Sequence, residues 1–362
     1  MSPRKFRAVV MTSAKFTGGL PPSRVPGEWK SRDRRVLNLA NNELQHEALE
    51  SYIRAAWEVV DAEDFRAYPD YSEYRSKFAS IYNRPEGEIG FAAGSDQIYK
   101  NICQYFANGR RRFWTTDPNY SGLFLYAELS GIQVERSRYR DGFELIEFLE
   151  FIKGGRPGDL VSISNPNGPT GACWTRSELT LLEQQCFEAG MFLVLDEVYS
   201  AFDTYSVCPR PLSENALTVH SFSKSHGMAG GRVAVYASTS PRLIAGLQTG
   251  NPTNPVSGVS LKVALSLLQM RERFEAIWRD VSRSREVIAA ALPTIVDCQA
   301  KYSRGNFATF QFSDTSEVER FVQRSFKAGF GVRDLAKFGL AGYARVTCAD
   351  EALMTRFLTA IG

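Results

Sequence analysis

Between residues 89 and 237 the chain alternates short apolar runs with helical patterns, and most of the runs end in a polar cluster. This alternation constrains the fold more than any other feature. The runs fall at 89–93, 112–116, 132–135, 160–164, 191–195, 216–221 and 232–237. Brief apolar runs separated by helices read as strands buried on both faces, as in a parallel sheet. Helices are predicted after Ser95, with Ile98, Ile102, Tyr105 and Phe106 inward, and over 143–152. A third opens on a Thr175/Glu178 capping box and runs to Gly190. The expected class is α/β: a three-layer αβα large domain around a mostly parallel sheet. Ligands of such sheets bind beyond the carboxyl ends of the strands, where the polar clusters sit.

The flanks read differently. Residues 1–36 carry Pro, Gly, Ser and Arg with little periodicity and suit an extended arm. A short strand-like run follows from Leu37 and ends at Asn41 and Asn42, whose amides face a ligand or simply make a turn. Leu49, Ile53 and Trp57 mark one helix face; Tyr71, Tyr74, Phe78 and Ile81 mark a second, after a break at Pro69. Beyond Gly250 the pattern changes. One long helical stretch is expected from Leu261 to about Ala291, with Leu265, Leu268 and Phe274 inward. A strand at 307–312, a helix at 317–328 and a strand at 343–348 complete it. The expected organisation is an arm (1–36), a large domain (37–250) and a small α+β domain (251–362).

The 362 residues carry a net charge of +3 with both signs intermixed, which argues against a nucleic-acid footprint. The basic cluster Arg32, Arg34 and Arg35 is short and reads as a solvated arm. No apolar run is long enough for a bilayer, and a signal peptide is not expected. Six cysteines without a C-x-x-C pair, and three histidines, argue against a zinc site. Scattered single cysteines suit reduced thiols and a cytoplasmic protein. There is no G-x-G-x-x-G or G-x-x-x-x-G-K-[ST] run for a nucleotide.

The strand-end residues share one chemistry. In VHSFSKSHGMAGGR, Lys224 follows Ser221 and Ser223 and precedes Arg232. A lysine so placed forms a Schiff base with an aldehyde cofactor, while hydroxyls and a guanidinium hold the cofactor's phosphate. A Gly94-Ser95-Asp96 turn opening a helix offers further amides to an anion. A buried Asp196 can keep a pyridine nitrogen protonated; Tyr199 can donate to the ring's phenolic oxygen and Tyr120 can stack on its face. Singly each has a structural role available, Asp196 as a cap and the tyrosines as core. Their joint occurrence in this order is the stronger signal.

Together SFSKSHGMAGGR, DEVY, NPNGPTG, AAGSDQ, DPNY, NPVS, RGNF, GVRDL and GYARVTC resemble the fold-type I pyridoxal-phosphate enzymes. The resemblance covers nearly all of the chain from about Leu37. It is nearest to the branch of histidinol-phosphate aminotransferase and threonine-phosphate decarboxylase. It implies pyridoxal 5′-phosphate as cofactor, with Lys224, Asp196 and Tyr199 catalytic and Gly94, Ser95, Asp96, Tyr120, Ser221, Ser223 and Arg232 around the cofactor. Tyr68 matches a tyrosine that crosses from a neighbouring subunit to the phosphate, so a homodimer with interfacial active sites is implied. Arg345 matches the arginine that grips the substrate carboxylate. Arg333 matches a second arginine near the substrate's anionic end, or is an ordinary surface residue; Asn42 is a further substrate-binding candidate. One position departs from the pattern. The family has asparagine before Pro-Thr-Gly, and here Gly168 stands there. The implied activity is transamination of an amino acid or amino-phosphate. Decarboxylation, or a lyase or cyclase reaction, is the alternative that Gly168 favours. A non-catalytic binding protein of the same fold fits poorly with an intact Lys224.

Overall fold

The computed structural model describes residues 35–107, 111–138, 142–204, 207, 213–301 and 303–362. Arg35 to Gly362 form one compact unit, and the expected arm up to residue 34 lies outside the described residues. In chain order the strands are β1 (Leu37–Asn38), β2 (Ile89–Ala92), β3 (Arg112–Asp117), β4 (Gln133–Arg138), β5 (Leu160–Ser164), β6 (Phe192–Asp196) and β7 (Ala216–Ser221). They continue with β8 (Ala234–Ala237), β9 (Gln299–Lys301), β10 (Phe307–Gln311), β11 (Phe330–Gly331), β12 (Arg333–Asp334) and β13 (Tyr343–Thr347).

Seven strands form the main sheet in the order β2-β8-β7-β6-β5-β3-β4. Pairing is parallel from β4 through β7, and β8 runs antiparallel to both β7 and β2. The mostly parallel sheet expected from the sequence is therefore present. Every residue of β5, β6 and β7 is buried, as strands covered on both faces must be. The edge strand β4, QVERSR, is largely exposed, and its charges discourage further pairing. From β4 the chain crosses back to β5 on the far side of β3. That switch point opens a crevice at the carboxyl ends of β3 and β5.

A second sheet, β12-β13-β10-β9, is antiparallel throughout. Strand β1 pairs parallel with β11, and the Thr347 N–H donates to the Leu39 carbonyl at 2.8 Å. These bonds dock the segment after Leu37 against the second sheet. One apolar cluster runs from Phe78 and Phe222 through Phe274 and Trp278 to Phe310 and Phe357. The two sheets thus share a continuous core.

The structure differs from the sequence expectation at four places. The expected strand at 232–237 begins at Ala234, because Arg232 adopts left-handed backbone (φ 54°). The expected 261–291 helix is two, Gly258–Gln269 and Arg271–Ala291, divided at Met270, whose ψ of 33° leaves the helical region. Trp57 is exposed and meets Phe65 edge to face, while Ala56 takes the inward place. Tyr105 also stands at the surface, covering Phe106 and the Gly246 side of the helix Pro241–Gln248; Tyr99, on the same helix, is the buried tyrosine.

Candidate active site

A cleft of about 450 Å³ opens at the carboxyl ends of β3, β5, β6 and β7. Ser95, Asp96, Tyr120, Asp196, Tyr199, Ser221, Ser223, Lys224, Arg232, Arg333 and Arg345 all line it. So do Asn41 and Gly168, which the sequence had placed near a ligand, and Glu43, Asn119, Ser164 and Phe338, which sequence reasoning did not assign to it.

The floor is carried by the parallel strands. Asp196 ends β6 and is 3% exposed. Its Oδ1 accepts from the Val198 N–H at 3.1 Å and its Oδ2 from the Tyr99 hydroxyl at 3.0 Å. Burial pushes its carboxyl up to about 6, and those two hydrogen bonds oppose the shift. It is thus ionised at neutral pH, buried, and open on the cleft side. Tyr120 begins the helix Ser121–Leu129, half-buried, its ring centroid 5.2 Å from that of Tyr99.

Lys224 lies one turn beyond β7, in the short helix Phe222–Ser225 capped by Ser221. Its Nζ donates to the Asn41 carbonyl at 2.7 Å. Burial lowers its ammonium to about 8; Arg345 and Arg232 add to the shift, and Glu43 and Asp96 resist it.

At one end of the cleft the helix Ser95–Phe106 begins at Gly94. Gly94 has φ 82°, and a Cβ there would collide with the Arg232 guanidinium. Glycine therefore permits both the turn and the close approach. Arg232 Nη1 donates to the Ser223 hydroxyl (3.4 Å) and the Ala229 carbonyl (3.2 Å), and Nη2 lies 3.6 Å from Asp96. First-turn amides, two serine hydroxyls and a guanidinium form a cradle suited to a phosphate dianion.

At the other end, Arg333 and Arg345 face each other across the β12–β13 ladder. Like charges directly opposite are unfavourable unless an anion lies between them. Both guanidinium groups reach the Ala40 carbonyl, Arg333 Nε at 3.2 Å and Arg345 Nη2 at 3.0 Å. Arg333 also donates to the Asn41 side chain. Arg345 sits over the Phe307 ring, and burial lowers its guanidinium to about 10. Among the described residues its buried Nε has no hydrogen-bond partner. A buried, unpaired N–H beside a cleft calls for an acceptor from a ligand.

Three expected residues sit outside the cleft wall. Gly94 underlies the cradle. Tyr68 is 86% exposed on the surface. Asn42 is wholly buried behind Tyr199, donating from Nδ2 to its hydroxyl at 2.9 Å. At Gly168 a Cβ would come within 3.0 Å of the Tyr199 ring, so a side chain there would require the tyrosine to give by a few tenths of an ångström. Asn165 and Asn167 are spent on loop closure, bonding the Trp174 backbone and the Pro118 carbonyl. Tyr99 and the Ala40 and Asn41 carbonyls carried no sequence signal.

This fold and site define a pyridoxal-phosphate-dependent transferase of fold type I. The chain matches the family "Aminotransferase class I and II" over residues 34–361. It belongs to that family and is an aminotransferase that works with pyridoxal 5′-phosphate. It is 29% identical to histidinol-phosphate aminotransferase of Clostridium beijerinckii over 339 residues, 91% of each chain. Solved structures that share its fold include two of related enzymes. Histidinol-phosphate aminotransferase of Sinorhizobium meliloti with pyridoxal 5′-phosphate superposes with a TM-score of 0.75 at 20% identity, covering 90% of this chain and 89% of that one. L-threonine-O-3-phosphate decarboxylase of Porphyromonas gingivalis gives 0.74 at 17%, covering 90% and 98%. Among the described residues no helix is long and apolar enough to cross a membrane.

Proposed function

We propose that this aminotransferase acts on an amino acid or amino-phosphate through Lys224, with the cofactor's phosphate at Ser95, Asp96, Ser221, Ser223 and Arg232. The observation that carries the reading is one cleft with a phosphate cradle at one end, a buried carboxylate and Lys224 between, and an arginine pair at the other. The bound cofactor supplies an aldehyde and an electron-withdrawing ring. Asp196 holds a proton on the ring nitrogen, Tyr199 donates to the ring's phenolic oxygen and Tyr120 covers one face. Lys224 Nζ would be the amine that takes up the cofactor's aldehyde, with loss of water, and as a free amine it would move the proton at the substrate's α-carbon. Arg345 grips the substrate carboxylate through its free Nε, and Arg333 takes the second anionic group. The functional division follows: 37–250 for the cofactor, 251–362 for the substrate arginines. The enzyme works as a homodimer in which Tyr68 reaches the partner's phosphate. The exposed Trp57, Val59, Phe65 and Tyr68 support an interface there. The free thiols at the described cysteines suit the cytoplasm.

The test is a half-reaction without keto acid. Holoenzyme is mixed with amino acids and amino-phosphates while absorbance and products are followed. Conversion of the cofactor to its amine form with release of a keto acid or aldehyde is expected. Carbon dioxide or an eliminated group, with the original spectrum returning, would replace transamination by the decarboxylase or lyase reading that Gly168 favours. Borohydride should fix the cofactor's mass on Lys224, and Lys224→Ala should abolish it; label retained in that variant sinks the assignment.

A further inference from the structure

Asn42 is bonded on every side. Its N–H donates to Thr347 Oγ1 at 3.0 Å, its carbonyl accepts from Asn306 Nδ2 at 3.1 Å, and its Oδ1 accepts from the Thr347 hydroxyl at 3.3 Å. Its backbone is left-handed (φ 54°), a conformation that asparagine tolerates and that surrounding bonds must hold. These contacts fix the amide's direction: Oδ1 toward Thr347, Nδ2 toward Tyr199. An amide nitrogen can only donate, so the 2.9 Å contact makes the Tyr199 oxygen the acceptor. The hydroxyl's own proton must then point elsewhere. The Tyr199 ring is locked edge-on to Phe307 at 5.2 Å, and the residue lines the cleft. The cleft is the open direction for that proton.

We propose that Asn42 is a positioning residue that fixes the Tyr199 hydroxyl as a donor into the cleft. It does not touch the substrate, being wholly buried behind the tyrosine. The inference rests on the reading of Tyr199 as donor to the cofactor's phenolic oxygen. The orienting relay is Thr347 to Asn42 to Tyr199. It crosses from the second sheet to the end of the first, so the strand that carries Arg345 also sets the tyrosine's proton. An aspartate at 42 would keep the shape but only accept when ionised, drawing the tyrosine's proton away from the cleft.

The experiment is a double-mutant cycle on cofactor-free protein titrated with pyridoxal 5′-phosphate, with dissociation constants read by fluorescence quenching. The bound cofactor's absorbance is also titrated with pH. Tyr199→Phe and Asn42→Asp should each weaken binding by about tenfold, the size of one well-placed hydrogen bond. Both should shift the absorbance titration in the same direction. In the Tyr199→Phe background, Asn42→Asp should add less than about twofold, because its effect passes through the missing hydroxyl. Thr347→Val keeps Asn42 and nearly all the volume, so it carries the test if the aspartate variant fails to fold; it should move the titration the same way. Equal costs of Asn42→Asp in both backgrounds, or an unmoved titration in Thr347→Val, would overturn the role of Asn42 alone. An unchanged Tyr199→Phe would remove the donor reading of Tyr199, and the relay with it.

Discussion

Asp196 and Lys224 are shifted by the same cause in opposite directions. Burial raises the acid to about 6 and lowers the amine to about 8. At pH 7 roughly a tenth of Lys224 is neutral, against about one in 2,500 for an ordinary lysine. Asp196 carries a stability consequence. Its folded pKa lies above the ordinary 3.8, so its favourable contribution is full below about pH 4 and lost as pH rises through about 6. Above that, cofactor-free protein holds an ionised carboxylate that the fold desolvates. Asp196→Asn, neutral throughout, should stabilise cofactor-free protein by roughly 2 kcal/mol more at pH 7.5 than at pH 4.5. The same variant should bind cofactor more weakly. Urea unfolding at the two pH values checks it; a gain independent of pH would refute the assignment. The acid itself was legible in the sequence, as an Asp closing an apolar run with Tyr199 close behind. Its partner Tyr99 was not, because a tyrosine on an amphipathic helix looks like any core aromatic until the helix is laid across the sheet.

At the scale of elements, what could be read was what is locally determined. The inner strands of the central sheet were legible because burial on both faces makes them largely apolar. The capping box at Thr175 and Glu178 forms as the spacing predicted. The helix Ser121–Leu129 escaped because it is apolar nearly all round and shows no stripe; the two-residue strands β11 and β12 are defined only by their partners. The two kinds of helix start have separable effects. Thr175→Ala removes a surface cap and should lower stability by about 1 kcal/mol while leaving cofactor affinity unchanged. Gly94→Ala forces a side chain into left-handed backbone and against Arg232, and should weaken cofactor binding by more than tenfold. Melting curves and cofactor titration of the two variants, compared side by side, check both; a Gly94→Ala protein with unaltered affinity would detach this helix from the phosphate.

For the whole molecule the relevant surface is the one around the helix Ala62–Arg66. Trp57, Val59, Phe65 and Tyr68 are 52%, 46%, 69% and 86% exposed within one short stretch. A monomer gains nothing by showing two aromatic rings in edge contact to water. The stretch is also well built. Asp61 and Asp64 close a capping box, and Lys262 bridges both, at 3.1 and 2.7 Å. A capped, exposed element that carries aromatic rings is suited to docking against a second copy with little loss of entropy. If the tyrosine on it completes the phosphate cradle of the partner, assembly and cofactor binding are linked: each must strengthen the other by the same factor. Phe65→Asp, a surface change that should leave the fold's own stability within about 0.5 kcal/mol, should therefore dissociate the proposed dimer and weaken cofactor binding in proportion. Tyr68→Phe should weaken cofactor binding and, by the same factor, the cofactor's support of assembly, while leaving cofactor-free assembly unchanged. Sedimentation of both variants with and without pyridoxal 5′-phosphate reads the linkage directly. A Phe65→Asp protein that stays dimeric places the interface elsewhere. A monomer that binds cofactor as tightly as the parent would mean that each active site is complete within one chain.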